Sequence, residues 1–240
     1  MENVILSAVG VGGATVIGAL LGFIFRAQAE KHAPTILSLA AGVMLAATVT
    51  NLIAPAFERS GALNATLAVL GLFAGALSLY FSERFIPEGA AVGGARSAVL
   101  FAIAMGIHNL PEGMAAGLGF GTGEIADAVA VTVGIALHNI PEGMIAIFPM
   151  LSAGVKPSRA FLFALAGGLS EVIGTFIGHF AARMGEAILP FTLAFAGGTM
   201  LYVVASEMIP EGQARGKRRA AFSLILGYAL LILLGRALSS

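Results

Sequence analysis

Residues 107–114 read IHNLPEGM and residues 137–144 read LHNIPEGM. The second copy follows the first by 30 positions, and the two lie inside long apolar stretches, 97–119 and 126–151. A stretch of about 20 mostly apolar residues is long enough for a helix to cross a bilayer. Six more stretches of this kind flank the pair, at 4–25, 35–57, 64–82, 159–181, 187–209 and 220–238. The breaks carry turn chemistry: Pro34 opens the second stretch and Ser60-Gly61 precedes the third. Gly119 to Gly123 separates the fourth from the fifth, and Lys156-Pro157-Ser158 leads into the sixth. The expected fold is all-α, a polytopic membrane protein of eight transmembrane helices forming one bundle over residues 1–240.

Composition supports this class. The chain is 58% hydrophobic and 11% charged, whereas a soluble domain is about 25% charged. Thirteen Lys and Arg balance thirteen Asp and Glu, which argues against a nucleic-acid partner or a lipid-surface role; the apolar composition makes the lipid bilayer itself the expected surroundings. With no cysteine, disulfides and thiolate metal sites are excluded. Ten of the thirteen basic residues follow odd-numbered spans, and only Arg59, Arg183 and Arg236 lie on the other side. The positive-inside rule then places both termini away from the cytoplasm. Ala27-Gln28-Ala29 resembles a cleavage site, but the preceding end carries Glu2 and no basic residue. The first span therefore reads as an uncleaved helix.

The polar residues inside the spans point to chemistry. The fourth span holds His108, Asn109 and Glu112, and the fifth holds His138, Asn139 and Glu142. Glu171 and His179 lie in the sixth, Asn51 in the second and Glu207 in the seventh. A charged side chain at the bilayer centre costs about 2.5–3.5 kcal/mol on insertion scales. No Lys or Arg lies in the interior of these spans, so protons or bound cations must neutralise the carboxylates. His108 and Glu112 are four apart, as are His138 and Glu142, which puts imidazole and carboxylate on one helix face. Asn109 and Asn139 sit three before the same glutamates. A lone intramembrane His or Asn usually makes an interhelical hydrogen bond; six such residues in two copies read as a metal site. Pro111 and Pro141 each remove a backbone hydrogen bond beside it.

A weaker repeat aligns GVMLAATVTNLIAP (42–55) with GTMLYVVASEMIPE (198–211) at an offset of 156, setting Asn51 against Glu207. The two spans would run in opposite directions, so the expected architecture is an inverted repeat with a site at the midplane.

The paired HNxPEG segments, on eight spans with both ends outside, resemble the ZIP (Zrt/Irt-like) family of divalent metal transporters, most nearly its short bacterial GufA-like branch. The resemblance implies a single transmembrane transporter domain, and a cell-membrane protein that carries zinc foremost into the cytoplasm. It also implies a two-metal site of His108, Asn109, Glu112, His138, Asn139 and Glu142, with Glu171 as a further carboxylate. Asn51 and Glu207 would lie on the metal path, with His179 as a further pathway candidate. Homodimerisation and an elevator-type motion are implied as well. The 83–96 loop has no histidine, unlike the His-rich loop of many relatives. Asn139 is neutral where some relatives carry aspartate, so one firmly held ion and a weaker second are expected. Imidazole and carboxylate donors suit zinc, iron, manganese, cobalt and cadmium. The metal is a transported substrate rather than a cofactor, and no enzyme activity is expected. The alternatives are an intramembrane metal-dependent hydrolase, against which no HExxH occurs, and a proton-coupled solute carrier, against which no intramembrane cation is present to hold an anion.

Overall fold

The computed structural model describes residues 1–58, 62–84, 95–121, 125–152, 154–185, 187–214 and 216–238. Among these residues there is no strand, and eight long helices account for nearly all of the chain. We number them α1 Glu2–Ile24, α2 26–58, α3 Ala62–Arg84, α4 Ala95–Gly121, α5 Ile125–Ser152, α6 Pro157–Ala182, α7 Leu189–Gln213 and α8 Lys217–Leu238. Seven are long and apolar enough among the described residues to cross a membrane. The other, α4, runs 27 residues, or about 40 Å at 1.5 Å per residue. The third to sixth spans lie within two residues of their expected bounds. Arg59, Ser60-Gly61, residues 85–94 of the 83–96 loop, residues 122 and 123 of the Gly119–Gly123 break and Arg215 lie outside the described residues.

One boundary differs. Pro34 does not open the second span; α2 begins at Arg26, directly after a single non-helical residue, Phe25. Pro34 lies inside this helix, and the Ser38 hydroxyl donates to the Pro34 carbonyl at 2.7 Å. The apolar stretch is a poor guide here because the first turns of α2 are polar, and helix formation extends past the lipid-facing length. His32, within these first turns, is an exposed helical residue.

Two helices widen locally. Val49–Ile53 in α2 and Val204–Met208 in α7 form π turns. In each, an N–H bonds five residues back, Ala54 to Val49 and Ile209 to Val204. The next residue is Pro55 or Pro210. A proline ring crowds the carbonyl four residues earlier, and a wider turn relieves that clash. Asn51 and Glu207 sit within these turns.

Helix pairing follows the glycines, since small residues let backbones approach in lipid. A Cβ on Gly113 of α4 would run into the Glu171 carbonyl of α6, and one on Gly174 of α6 into the Leu110 carbonyl of α4. Gly143 of α5 and Gly18 of α1 meet the Thr15 and Ile140 carbonyls in the same reciprocal way. Gly42 and Gly227 join α2 to α8, and Gly75 and Gly198 join α3 to α7. Gly12 and Gly168 bring α1 against α6. The helices thus fall into two closely packed groups, α1, α4, α5 and α6 against α2, α3, α7 and α8. Consecutive α4 and α5 touch less than the sequence repeat suggests; the main partner of α4 is α6, and that of α5 is α1. Large side chains such as Phe73, Leu162, Phe222 and Leu233 are exposed on the outside. The interior is rich in alanine, glycine and the polar residues described next.

Candidate metal site

Glu112 of α4 and His138 and Glu142 of α5 each offer a ligand atom, and the three atoms lie within 4.8 Å of one another. His138 Nε2 is 2.7 Å from Glu142 Oε2, one turn along the same helix, and 3.5 Å from Glu112 Oε1 across the α4–α5 contact. His138 and Glu112 are fully buried and Glu142 is partly so. The His138 Nδ1–H donates to the Ala40 carbonyl of α2 at 3.2 Å. A carbonyl only accepts, so this contact holds a proton on Nδ1; without metal, a second proton on Nε2 bridges the 2.7 Å to Glu142, and a cation that displaces it meets an Nε2 lone pair aimed at the carboxylates.

Three electron-rich atoms thus converge in an apolar interior. A buried acceptor without a partner costs about 1–3 kcal/mol. Glu112 Oε2, Asn109 Oδ1, Asn139 Oδ1 and His108 Nε2 are all buried with no hydrogen-bond partner, and His138 Nε2 and Glu142 Oε2 have only each other. A cation satisfies several of these at once, and a mixed nitrogen and oxygen set is chemistry that first-row divalent metals accept.

The other expected ligands are placed differently. His108 does not join the cluster; its Nε2 lies 3.6 Å from Glu207 Oε1, in the π turn of α7. Four-residue spacing puts His108 and Glu112 on one face but one turn apart, and α7 meets the lower turn. Glu171 also stands outside the cluster of three. Its Oε2 accepts from Asn139 Nδ2 at 2.7 Å, and its Oε1 accepts from Thr15 Oγ1 at 2.5 Å and from Asn109 Nδ2. Asn51 is half-buried in the π turn of α2. His179 is buried two turns beyond Glu171, its ring edge-on to Phe180, and is not brought to the site.

Sequence reasoning missed Thr15 and the Ala40 carbonyl. A backbone carbonyl leaves no trace in a sequence, but Thr15 had a signal. It precedes Glu171 by 156 positions, the offset that aligns 42–55 with 198–211. Extending that alignment outward would have paired the two.

Comparison with known proteins bears on the same residues. A profile described as ZIP zinc transporter matches residues 86–238. The zinc transporter GufA of Myxococcus xanthus is 33% identical over 95% of this chain and 95% of its own length. The zinc transporter ZIPB of Bordetella bronchiseptica is 32% identical over 94% of this chain and 78% of its own. The zinc transporter ZupT of Corynebacterium glutamicum is 31% identical over 92% of this chain and 93% of its own. With a profile covering more than half the chain and identities that extend over nearly all of it, the protein belongs to the ZIP zinc transporter family.

Proposed function

We propose that this protein carries divalent metal cations, zinc foremost, across the cell membrane into the cytoplasm through the Glu112–His138–Glu142 cluster. The observation that carries this reading is the meeting of three buried ligand atoms from two helices, with no Lys or Arg in the interior of those spans to offset them. Similarity to proteins named zinc transporters favours zinc among the metals that such donors accept. Asn109 and Asn139 add neutral oxygens on the same helix faces. His108 with Glu207 forms the next stop, one turn closer to the cytoplasmic end of α4.

The reading includes one transporter domain built as an inverted repeat, with α1 and α2 answering α6 and α7 and α4 answering α5. The matching π turns before Pro55 and Pro210 and the reciprocal glycine contacts support it. Close backbone approaches at glycine occur within the α1, α4, α5, α6 group and within the α2, α3, α7, α8 group. Among the described glycines, Gly134 alone reaches from the first group to α8, and it meets a flexible Leu231 side chain. This contrast favours transport by movement of the first group, which holds the cluster, along the second.

The test is radiometal flux into proteoliposomes, comparing zinc, iron and manganese. Saturable zinc uptake is expected, falling as the outside pH drops from about 7 to about 5, because protons compete with metal for imidazole and carboxylate. No uptake of any divalent metal would overturn the reading. The expected topology is checked on single cysteines, which the cysteine-free chain permits. Glu2→Cys reacts with an impermeant maleimide on intact cells, and Lys156→Cys reacts only after permeabilisation; the reverse pattern refutes the orientation.

A further inference from the structure

At one end of the bundle, α2, α7 and α8 leave a cavity of about 150 Å³ between them. That is roughly ten times the volume that a single bound water requires. Lys31, His32 and Thr35 of α2 line it, with Gly212 of α7, Gly216 just before α8 and Arg219 in the first turn of α8. The missing Cβ of Gly212 lets α7 close on Ser38 of α2, and neither glycine brings a side chain to fill the space.

Two cations from different helices thus border one cavity. Among the described residues no carboxylate lines it, and neither Lys31 nor Arg219 forms a salt bridge. The start of α8 adds to the imbalance. Lys217, Arg218 and Arg219 occupy its first turn without an acid, where the helix dipole is already positive. The cavity also lies at the depth of the membrane surface. Lys31 and Lys217 are the first residues of the membrane-crossing lengths of α2 and α8, and Gln213 is the last of α7. These three ends share the side that carries most of the basic residues, the one expected to face the cytoplasm. Phe222 and Leu226 follow Arg219 by three and seven residues, on the same face of α8, and both are exposed.

We propose that this cavity binds a phosphate group at the membrane surface, that of an anionic phospholipid headgroup or a soluble phosphate. Lys31 and Arg219 supply the charge-assisted donors, and the guanidinium fork matches two phosphate oxygens. The Thr35 hydroxyl and the His32 ring add further donors. The Phe222–Leu226 track favours the lipid, whose acyl chains would lie along it. The site is separate from the metal cluster, to which none of these residues contributes a ligand atom.

A bound phosphate links α2 to the start of α8 and so stabilises the protein. The full-length protein in detergent is titrated with dioleoylphosphatidylglycerol, dioleoylphosphatidylcholine or inorganic phosphate. The thermal midpoint is followed throughout, and for the lipids also the mass of the complex. A saturable rise with phosphatidylglycerol, but not with phosphatidylcholine, whose choline offsets the phosphate charge, assigns the site to a lipid headgroup. A rise with inorganic phosphate alone assigns it to a soluble phosphate, and a rise with both to the phosphate group itself. An equal response to the two lipids, or no saturable response to phosphatidylglycerol or phosphate, overturns the proposal.

Substitution separates the cavity from general attraction between a basic surface and an anion. Lys31→Gln with Arg219→Gln is expected to weaken binding at least about 25-fold, or about fivefold for each cation. Lys217→Gln with Arg218→Gln removes the same charge from residues that do not line the cavity, and is expected to stay within about threefold of the parent. All four side chains are exposed, so neither double variant opens the core. Equal losses in the two would reduce the site to a diffuse basic surface and refute it.

Discussion

Glu112→Gln abolishes zinc uptake and at the same time leaves the metal-free protein at least as stable as the parent. The two halves of this expectation have one cause. Glu112 Oε1 faces His138 Nε2 at 3.5 Å, and that nitrogen already lies 2.7 Å from Glu142 Oε2. A divalent ion is expected to bind to this set because two carboxylates and an imidazole are held together there by the packing of α4 on α6 and α5 on α1. Removing one anionic ligand should weaken zinc by at least about 100-fold, or about 2.8 kcal/mol at 1.4 kcal/mol per tenfold. Without metal, however, Glu112 is the second of two buried carboxylates facing one imidazole, with no Lys or Arg in the interior of those spans. Glutamine at 112 keeps the size of the side chain and leaves His138 paired with Glu142, so it relieves the repulsion between two neighbouring carboxylates without leaving a charge alone. Affinity is read by equilibrium dialysis and stability by a thermal melt in detergent. A variant that lost stability but kept its zinc would make Glu112 a structural residue. Uptake at the parental rate would remove the cluster from the transport path.

The second large effect is expected at Gly113, one residue further along α4. A side chain there meets the backbone of Glu171, its carbonyl oxygen first and then its carbonyl carbon and Cα. Backbone cannot move aside as a flexible side chain can. Gly113→Val therefore forces α4 from α6, where the closest pairing in the site-bearing group is made. Overpacking a core typically costs about 1–3 kcal/mol, and a backbone obstacle puts this case at about 3 kcal/mol or more. The folded, monodisperse fraction after detergent extraction should collapse, and uptake with it, because Asn109 and Glu171 sit on the two helices being parted. Gly10→Ala on α1 is the control. A Cβ at Gly10 meets nothing within 4 Å, and alanine in a helix is favoured over glycine by about 0.5–1 kcal/mol. The same assay should show the control as neutral or slightly more stable. Equal losses in both variants would mean that the glycines act through helix propensity, not through close packing.

Much of this protein was legible in one dimension. Span lengths follow from the thickness of hydrocarbon to be crossed, and a backbone buried in lipid must bond within its own segment. That is why 64–82, 97–119, 126–151 and 159–181 came within two residues of the helices. The grouping of Glu112, His138 and Glu142 was also legible in part. The i, i+4 spacing is a local property, and a repeat 30 residues apart marks the two helices that carry it. Local spacing says which residues share a helix face, but not what that face meets. His108 shares a face with Glu112, and that it also faces Glu207 could not be read from spacing, because the rotation and tilt of α4 against α7 decide it. The gripping of Glu171 by Thr15, Asn109 and Asn139 joins residues up to 156 positions apart, and the Ala40 carbonyl that meets His138 Nδ1 is backbone, with no side chain to betray it. Sequence by itself determined that the chain crosses the membrane and which polar residues go down with it, since hydrophobic length and helical period act within single segments. Only the tertiary structure decided which of those residues converge, because that depends on where glycine lets one backbone settle against another.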